Sequence, residues 1–366
     1  MYTPRFFRNV LLKGLLLFTL INLSWALVNP VMLGRLSFYN VLFRGRERLP
    51  FGENPAQSYN LSLYDLDAMV SSHKLTGAPK GADEFRVIVI GDSSVWGTLL
   101  TPEETLSGLL DAAHLQSADG RQVRVYNLGY PTLSVLKDVM LLERAMKYEP
   151  DLILWPITLE SFPRTVQMES PIVANNTPVV KDLISRFGLN LPAPADPSKV
   201  WQRTLIGQRR SLADLLRLQL YGVMWSATGV DQIYPPDYTP AARDLKNDLS
   251  FHEFQGPSLK EEDLALDVIT AGMKIAGQVP VVLINEPILI STGENSSVRY
   301  NFYYPRWAYD QYRQILTRTS VSNGWDYLDL WNAVPPQHFT NSAIHLDAPG
   351  EVLFVNEILR SGIFQN

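Results

Sequence analysis

Residues 86–97 read RVIVIGDSSVWG, and the fold follows from them. Arg86 to Ile90 is a short run rich in β-branched residues, the composition of a strand buried on both faces of a parallel sheet. It stops at Gly91-Asp92-Ser93-Ser94. A serine at such a strand-to-helix turn presents its hydroxyl. The free amides and dipole of a helix N-terminus favour negative charge developing beside it. Gly-Asp-Ser alone is a common turn sequence. Its place after the first strand of an α/β series makes Ser93 the candidate nucleophile.

Working outward, Val123–Asn127, Asp151–Trp155, Val281–Ile284 and Trp325–Leu330 read as further strands. Helical stretches lie between and after them, at Glu103–Ala113, Thr132–Tyr148, Trp307–Thr319 and Pro349–Leu359. This alternation predicts an α/β fold, a parallel sheet with helices on both faces. In such sheets ligand sites form at the C-terminal ends of the strands. Residues 165–261 break the rhythm and read as an inserted lid or subdomain. Its apolar stretch Ser211–Thr228 is open to three readings: lid or subdomain core, a helix lying on a membrane surface, or a second crossing.

The N-terminal segment Val10–Leu33 is apolar over a length that spans a bilayer as a helix. Arg5 and Arg8 precede it and no small-x-small cleavage site follows, so residues 1–33 are expected to form an uncleaved anchor, with a cleaved signal peptide as the alternative. Cationic residues flank both sides: Arg5, Arg8 and Lys13 against Arg35, Arg44, Arg46 and Arg48. The expected arrangement is a single-pass protein of the cell membrane with its C-terminal domain extracytoplasmic. Residues 34–80 read as a stem, with a short helix in Leu61–Val70, and residues 81–164 with 262–366 as the α/β domain.

Composition removes several chemistries. The chain of 366 residues has no cysteine, which excludes disulfides and thiolate catalysis. A net charge of -5 gives no reason to expect nucleic acid. There is no Gly-rich phosphate loop and no His-x-x-Glu-His pattern, so no cofactor and no metal is implied. A serine nucleophile needs a base. Of the five histidines, His345 follows the last strand and just precedes the last helix, and His338 is the fallback. Asp347 and Pro349 suit the cap and first turn of that closing helix.

A GDS-type serine after the first strand, a glycine after the second (Gly129 in Asn127-Leu128-Gly129-Tyr130) and a histidine before the last helix resemble the SGNH, or GDSL-like, hydrolase superfamily. The resemblance covers residues 81–164 and 262–366 and implies a flavodoxin-like sheet. It implies Ser93 as nucleophile, its amide and that of Gly129 as oxyanion donors, and His345 as base. Two positions depart from the pattern. Where the family has an oxyanion-binding asparagine after the third strand, this chain has Glu160, with Thr158 and Ser161 as replacement donors. Where the family has an aspartate three residues before the histidine, this chain has Ser342, with Asn341 beside it. A carboxylate repels an oxyanion, but Glu160 reaching His345 across the strand ends would restore a triad. Asn285 and Glu286, at the end of the fourth strand, are placed to line the same cleft, with a structural turn as the equal reading. Arg306 closes an aromatic, basic run, Arg299–Trp307, of a kind that suits sugars, phosphates or lipid headgroups; a packed loop is the plainer reading.

The anchor with an SGNH-like domain is similar to D-alanyl transfer proteins and alginate O-acetylation proteins. That resemblance implies a serine esterase or O-acyltransferase acting on acyl groups of cell-envelope polysaccharide or lipid. It also implies the lipid bilayer and a membrane-bound O-acyltransferase as partners. The alternatives are a catalytically inactive binding or scaffold protein on the same fold, and a structural subunit of a membrane complex.

Overall fold

The computed structural model describes residues 3–28, 33, 36–50, 65–77, 79–194, 200–233, 237–256 and 258–365. Its centre is a five-stranded, fully parallel sheet of β1 (Glu84–Gly91), β2 (Gln122–Gly129), β3 (Leu152–Ile157), β6 (Val281–Asn285) and β7 (Asp326–Asp329). Two-residue strands β4 (Ser250–Phe251) and β5 (Phe254–Gln255) form a separate hairpin. The order across the large sheet is β2-β1-β3-β6-β7. With the hairpin set aside this is the flavodoxin-like 2-1-3-4-5 order, whose switch point lies between β1 and β3.

Strand periodicity explains the two layers. Ile88 and Ile90 of β1 face one core, with Ile153, Trp155 and Leu283 of the neighbouring strands. Val87 and Val89 face the other, with Leu152, Leu154, Val282 and Ile284. Helices Val135–Ala145, Leu266–Ala276 and Arg306–Asn323 pack on the first face, and Leu106–Ala112 and Ala348–Arg360 on the second. All five expected strands and the helices between them are present, with ends moved by a few residues. The short helix within the expected Leu61–Val70 runs Leu66–Val70, and residues 61–64 lie outside the described residues.

Side chains of the stem and the insert reach the sheet's first core. Leu49, Leu66, Met69 and Leu75 of the stem, and Ile172, Val180, Leu183 and Phe251 of the insert, belong to the first core. The insert helix Arg209–Thr228 instead buries Leu218 and Trp225 against Tyr39. Helix Pro4–Trp25 is, among the described residues, the one long and apolar enough to cross a membrane.

Helices Val135–Ala145 and Leu266–Ala276 meet over the fully buried indole of Trp155. Gly272 permits this approach, because a Cβ there would lie 2.7 Å from the indole. Gly272→Val is expected to destabilise the fold by about 1–3 kcal/mol through overpacking, seen as a lowered denaturant midpoint with unchanged slope.

Candidate active site

The turn after β1 is built from within. Asp92 caps the short helix Ser93–Trp96 by accepting the Ser94 amide at 2.9 Å. Ser93 opens that helix, so its own amide is one of the donors the first turn leaves without an intrahelical acceptor. The buried Lys137 ammonium donates to the Gly91 carbonyl at 2.6 Å and the Tyr130 carbonyl at 2.9 Å, and pairs with Asp138 at 2.6 Å. It thus ties the end of β1 to the chain leaving β2. β2 lies close behind the nucleophile, where a Cβ on Gly129 would come within 2.4 Å of the Trp96 amide nitrogen.

His345 Nε2 lies 2.7 Å from Ser93 Oγ, and His345 Nδ1 lies 2.7 Å from Asn341 Oδ1. With the Asn341 oxygen accepting the Nδ1 proton, the Nε2 lone pair faces the serine hydroxyl. This is the arrangement that turns a serine into a nucleophile. An amide orients the ring but adds no negative charge. Desolvation by the surrounding protein is then unopposed, and it lowers His345 from 6.5 to about 4. The imidazole is therefore neutral and available as a base down to acidic pH.

Behind the nucleophile lies a buried carboxyl cluster. The Ser94 hydroxyl donates to Glu286, which is 2% exposed. Burial and then the Asp92 charge push Glu286 well above the usual carboxylate range. Burial raises Asp92 to about 6 against the pull of Lys137, and raises Glu351 to about 8. Glu286 is thus a support of the nucleophile turn rather than a substrate ligand.

Several expected roles need correction. Glu160 does not reach His345: its carboxylate bonds His252 Nε2 at 2.7 Å, and that bond raises the His252 pKa. Gly129 does not offer its amide to an oxyanion, because that N–H donates to Asn127 Oδ1 at 2.9 Å. Thr158 is fully buried with its hydroxyl 2.9 Å from that of Tyr304, and Ser161 is buried too. Asn285, also fully buried, donates to Asp329 at 2.8 Å and accepts from the Tyr309 hydroxyl at 3.1 Å, so it joins β6 to its neighbours. Arg306 serves its own loop, donating to the Ser296 carbonyl at 2.6 Å and lying 4.2 Å over Tyr300. His338 pairs with Asp347 at 3.0 Å, and Asp347 caps the closing helix through the Gly350 amide at 2.7 Å.

Four supporting residues escaped the sequence reading. Lys137-Asp138 is the charged pair in the otherwise apolar run Val135–Leu142, a signal that was legible. Arg48, in the expected stem, is fully buried. It donates to the carbonyls of Trp96 at 2.6 Å and Gly97 at 2.9 Å and stacks 3.8 Å over the Trp96 ring. His252 sits at the hairpin tip with φ +49°, a left-handed conformation uncommon outside glycine. Neither of the last two had a local pattern to reveal it.

No protein-family model and no curated protein sequence matches this chain. Among solved structures it is similar to a lipolytic protein of the G-D-S-L family from Veillonella parvula, at 9% identity and TM-score 0.35, over 75% of this chain and 96% of that one. It is also similar to a carbohydrate acetylesterase family member from Sinorhizobium meliloti, at 12% identity and TM-score 0.34, over 76% and 98%. The M. smegmatis aryl esterase shows 13% identity and TM-score 0.31, over 75% and 98%. The chemistry of the site rests on its own atoms.

Two outcomes follow from the histidine. Because its folded pKa is lowered, the neutral base survives as pH falls, and the rate of Ser93 modification by a fluorophosphonate is expected to be half-maximal near pH 4. Asn341→Asp supplies the missing charge. It should move that limb upward toward the ordinary histidine range and raise the plateau rate by about tenfold, both read from one pH–rate profile.

Proposed function

We propose that the protein is a membrane-anchored serine esterase or O-acyltransferase that works through an acyl-serine intermediate on acyl groups of cell-envelope polysaccharide or lipid. The observation that carries this reading is the hydrogen-bonded series Ser93 Oγ, His345 Nε2, His345 Nδ1, Asn341 Oδ1, with both links at 2.7 Å. Ser93 Oγ attacks the ester carbonyl as His345 Nε2 takes its proton. The alcohol leaves with that proton, and the acyl group remains on Ser93. Water, or a hydroxyl of an acceptor, then gives its proton to His345 and attacks the acyl-serine, and the returned proton restores Ser93. The Ser93 amide, a first-turn donor, would meet the oxyanion. A hole lacking one donor forgoes about 2.7–4 kcal/mol of transition-state stabilisation, which favours a slow enzyme or one completed by its acceptor or a membrane-bound acyltransferase partner. The apolar helix Pro4–Trp25 supports placing the domain at a bilayer.

One observation favours a second reading, a non-catalytic binding or scaffold subunit: the Gly129 amide is already engaged. Fluorophosphonate labelling of the full chain separates the two. Wild type should label and Ser93→Ala should not. Glu160→Gln should label at close to the wild-type rate, since Glu160 serves His252 rather than the catalytic base. An unlabelled wild type at neutral pH would leave the scaffold reading standing.

A further inference from the structure

A second apolar surface lies beside the helix Pro4–Trp25, and acyl transfer makes no use of it. Helix Arg209–Thr228 buries Leu218, Gly222 and Trp225 on one side. On the other it exposes Leu216, Leu220, Tyr221 and Met224, with Leu216 and Leu220 66% and 67% exposed. Their spacing puts them on one stripe. The short helix Phe38–Leu42 packs alongside and exposes Phe38 and Val41. The Phe38 amide donates to Gln219 at 3.0 Å, which holds the short helix against Arg209–Thr228. An apolar patch of this extent on a folded domain marks a contact surface.

Two hydrogen bonds set its level. Trp25 Nε1 donates to Gln208 at 2.9 Å, and Asn22 Oδ1 accepts the Ile206 amide at 3.1 Å. They join the last turn of the apolar helix to the residues that lead into Arg209–Thr228. The exposed stripe thus begins where the apolar helix leaves a bilayer. Arg203, Arg209 and Arg210 are exposed at this junction, where cations meet anionic headgroups. A crossing by Arg209–Thr228 is ruled out by its buried protein-facing side and by Asp214 and Arg217, paired at 2.8 Å.

We infer that Arg209–Thr228 and Phe38–Leu42 lie in the headgroup–acyl boundary of the membrane that Pro4–Trp25 spans, with lipid as the occupant of the exposed stripe. The inference rests on Pro4–Trp25 being a retained membrane helix. It gives the domain a fixed seat instead of a tether. The chain from Phe38 runs on to Arg48, whose guanidinium holds the Trp96 and Gly97 carbonyls at the end of the nucleophile helix. The seat therefore sets the position of Ser93 relative to the lipid surface.

The chain has no cysteine, so single cysteines can report depth. Leu15→Cys, Leu220→Cys and Val321→Cys full-length proteins would be reconstituted in phosphatidylethanolamine–phosphatidylglycerol vesicles and spin-labelled. Accessibility to oxygen and to a water-soluble nickel chelate would then be measured. Val321, 79% exposed on helix Arg306–Asn323 beside the edge strand β7, serves as the aqueous reference. The expected result is a Leu220 label that favours oxygen and is several-fold less accessible to nickel than Val321, at a depth shallower than Leu15. A Leu220 label as open to nickel as Val321, with Leu15 in lipid, overturns the inference and leaves the membrane helix intact. Protection of Leu220 from both reagents shows a second copy on the stripe and overturns it too. Nickel access at Leu15 removes the membrane helix itself and the inference with it.

Discussion

The site depends on one buried ammonium. Lys137 is inaccessible to solvent and spends its donors on the Gly91 carbonyl, the Tyr130 carbonyl and Asp138. A charge in a low-dielectric interior is tolerated only when it is paired and hydrogen-bonded, and losing one partner of such a pair costs about 3–5 kcal/mol. That penalty holds the ends of β1 and β2 in register. Those held ends form the base of the turn that carries Ser93, and Gly129 lets the backbone of its helix settle directly against β2.

From that turn the electrostatics divide. In front of the helix, His345 has only the neutral Asn341 behind it, so the base is weak and its protonated form is disfavoured. Behind the helix, Asp92, Glu286 and Glu351 are crowded into protein, and burial drives their pKa values upward. These upward shifts weaken, without removing, the negative field beside Ser93, since Asp92 at about 6 is still largely ionised at neutral pH next to Lys137. The neutral amide of Asn341 behind His345 and the raised carboxyls act in the same direction: both limit negative charge around Ser93.

The described stem and the insert helix tie this site to the N-terminal helix. Arg48 and Leu49 reach the far end of the nucleophile helix, through the Trp96 carbonyl and the Trp96 indole. Tyr39 receives Leu218 and Trp225 from the insert. Among the described residues, Tyr39, Arg48 and Leu49 thus pack into the same body as the turn at Ser93.

The sequence by itself determined the α/β order, the turn at Ser93, the place of His345 before the last helix and the apolar N-terminal helix. Each is written in local pattern: β-branched runs, a turn tripeptide, a position before the last helix, an unbroken hydrophobic span. The orienting role of Asn341 was half legible, since its position beside the expected acid was clear but the side-chain oxygen turned to His345 was not. Only the tertiary structure decided the partner of Glu160, the engaged amide of Gly129, the burial of Thr158 and Asn285, and the reach of Arg48 into the site. Apart from the Gly129 amide, whose acceptor Asn127 is two residues away, these are contacts between residues far apart in the chain, set by which groups satisfy one another once water is excluded.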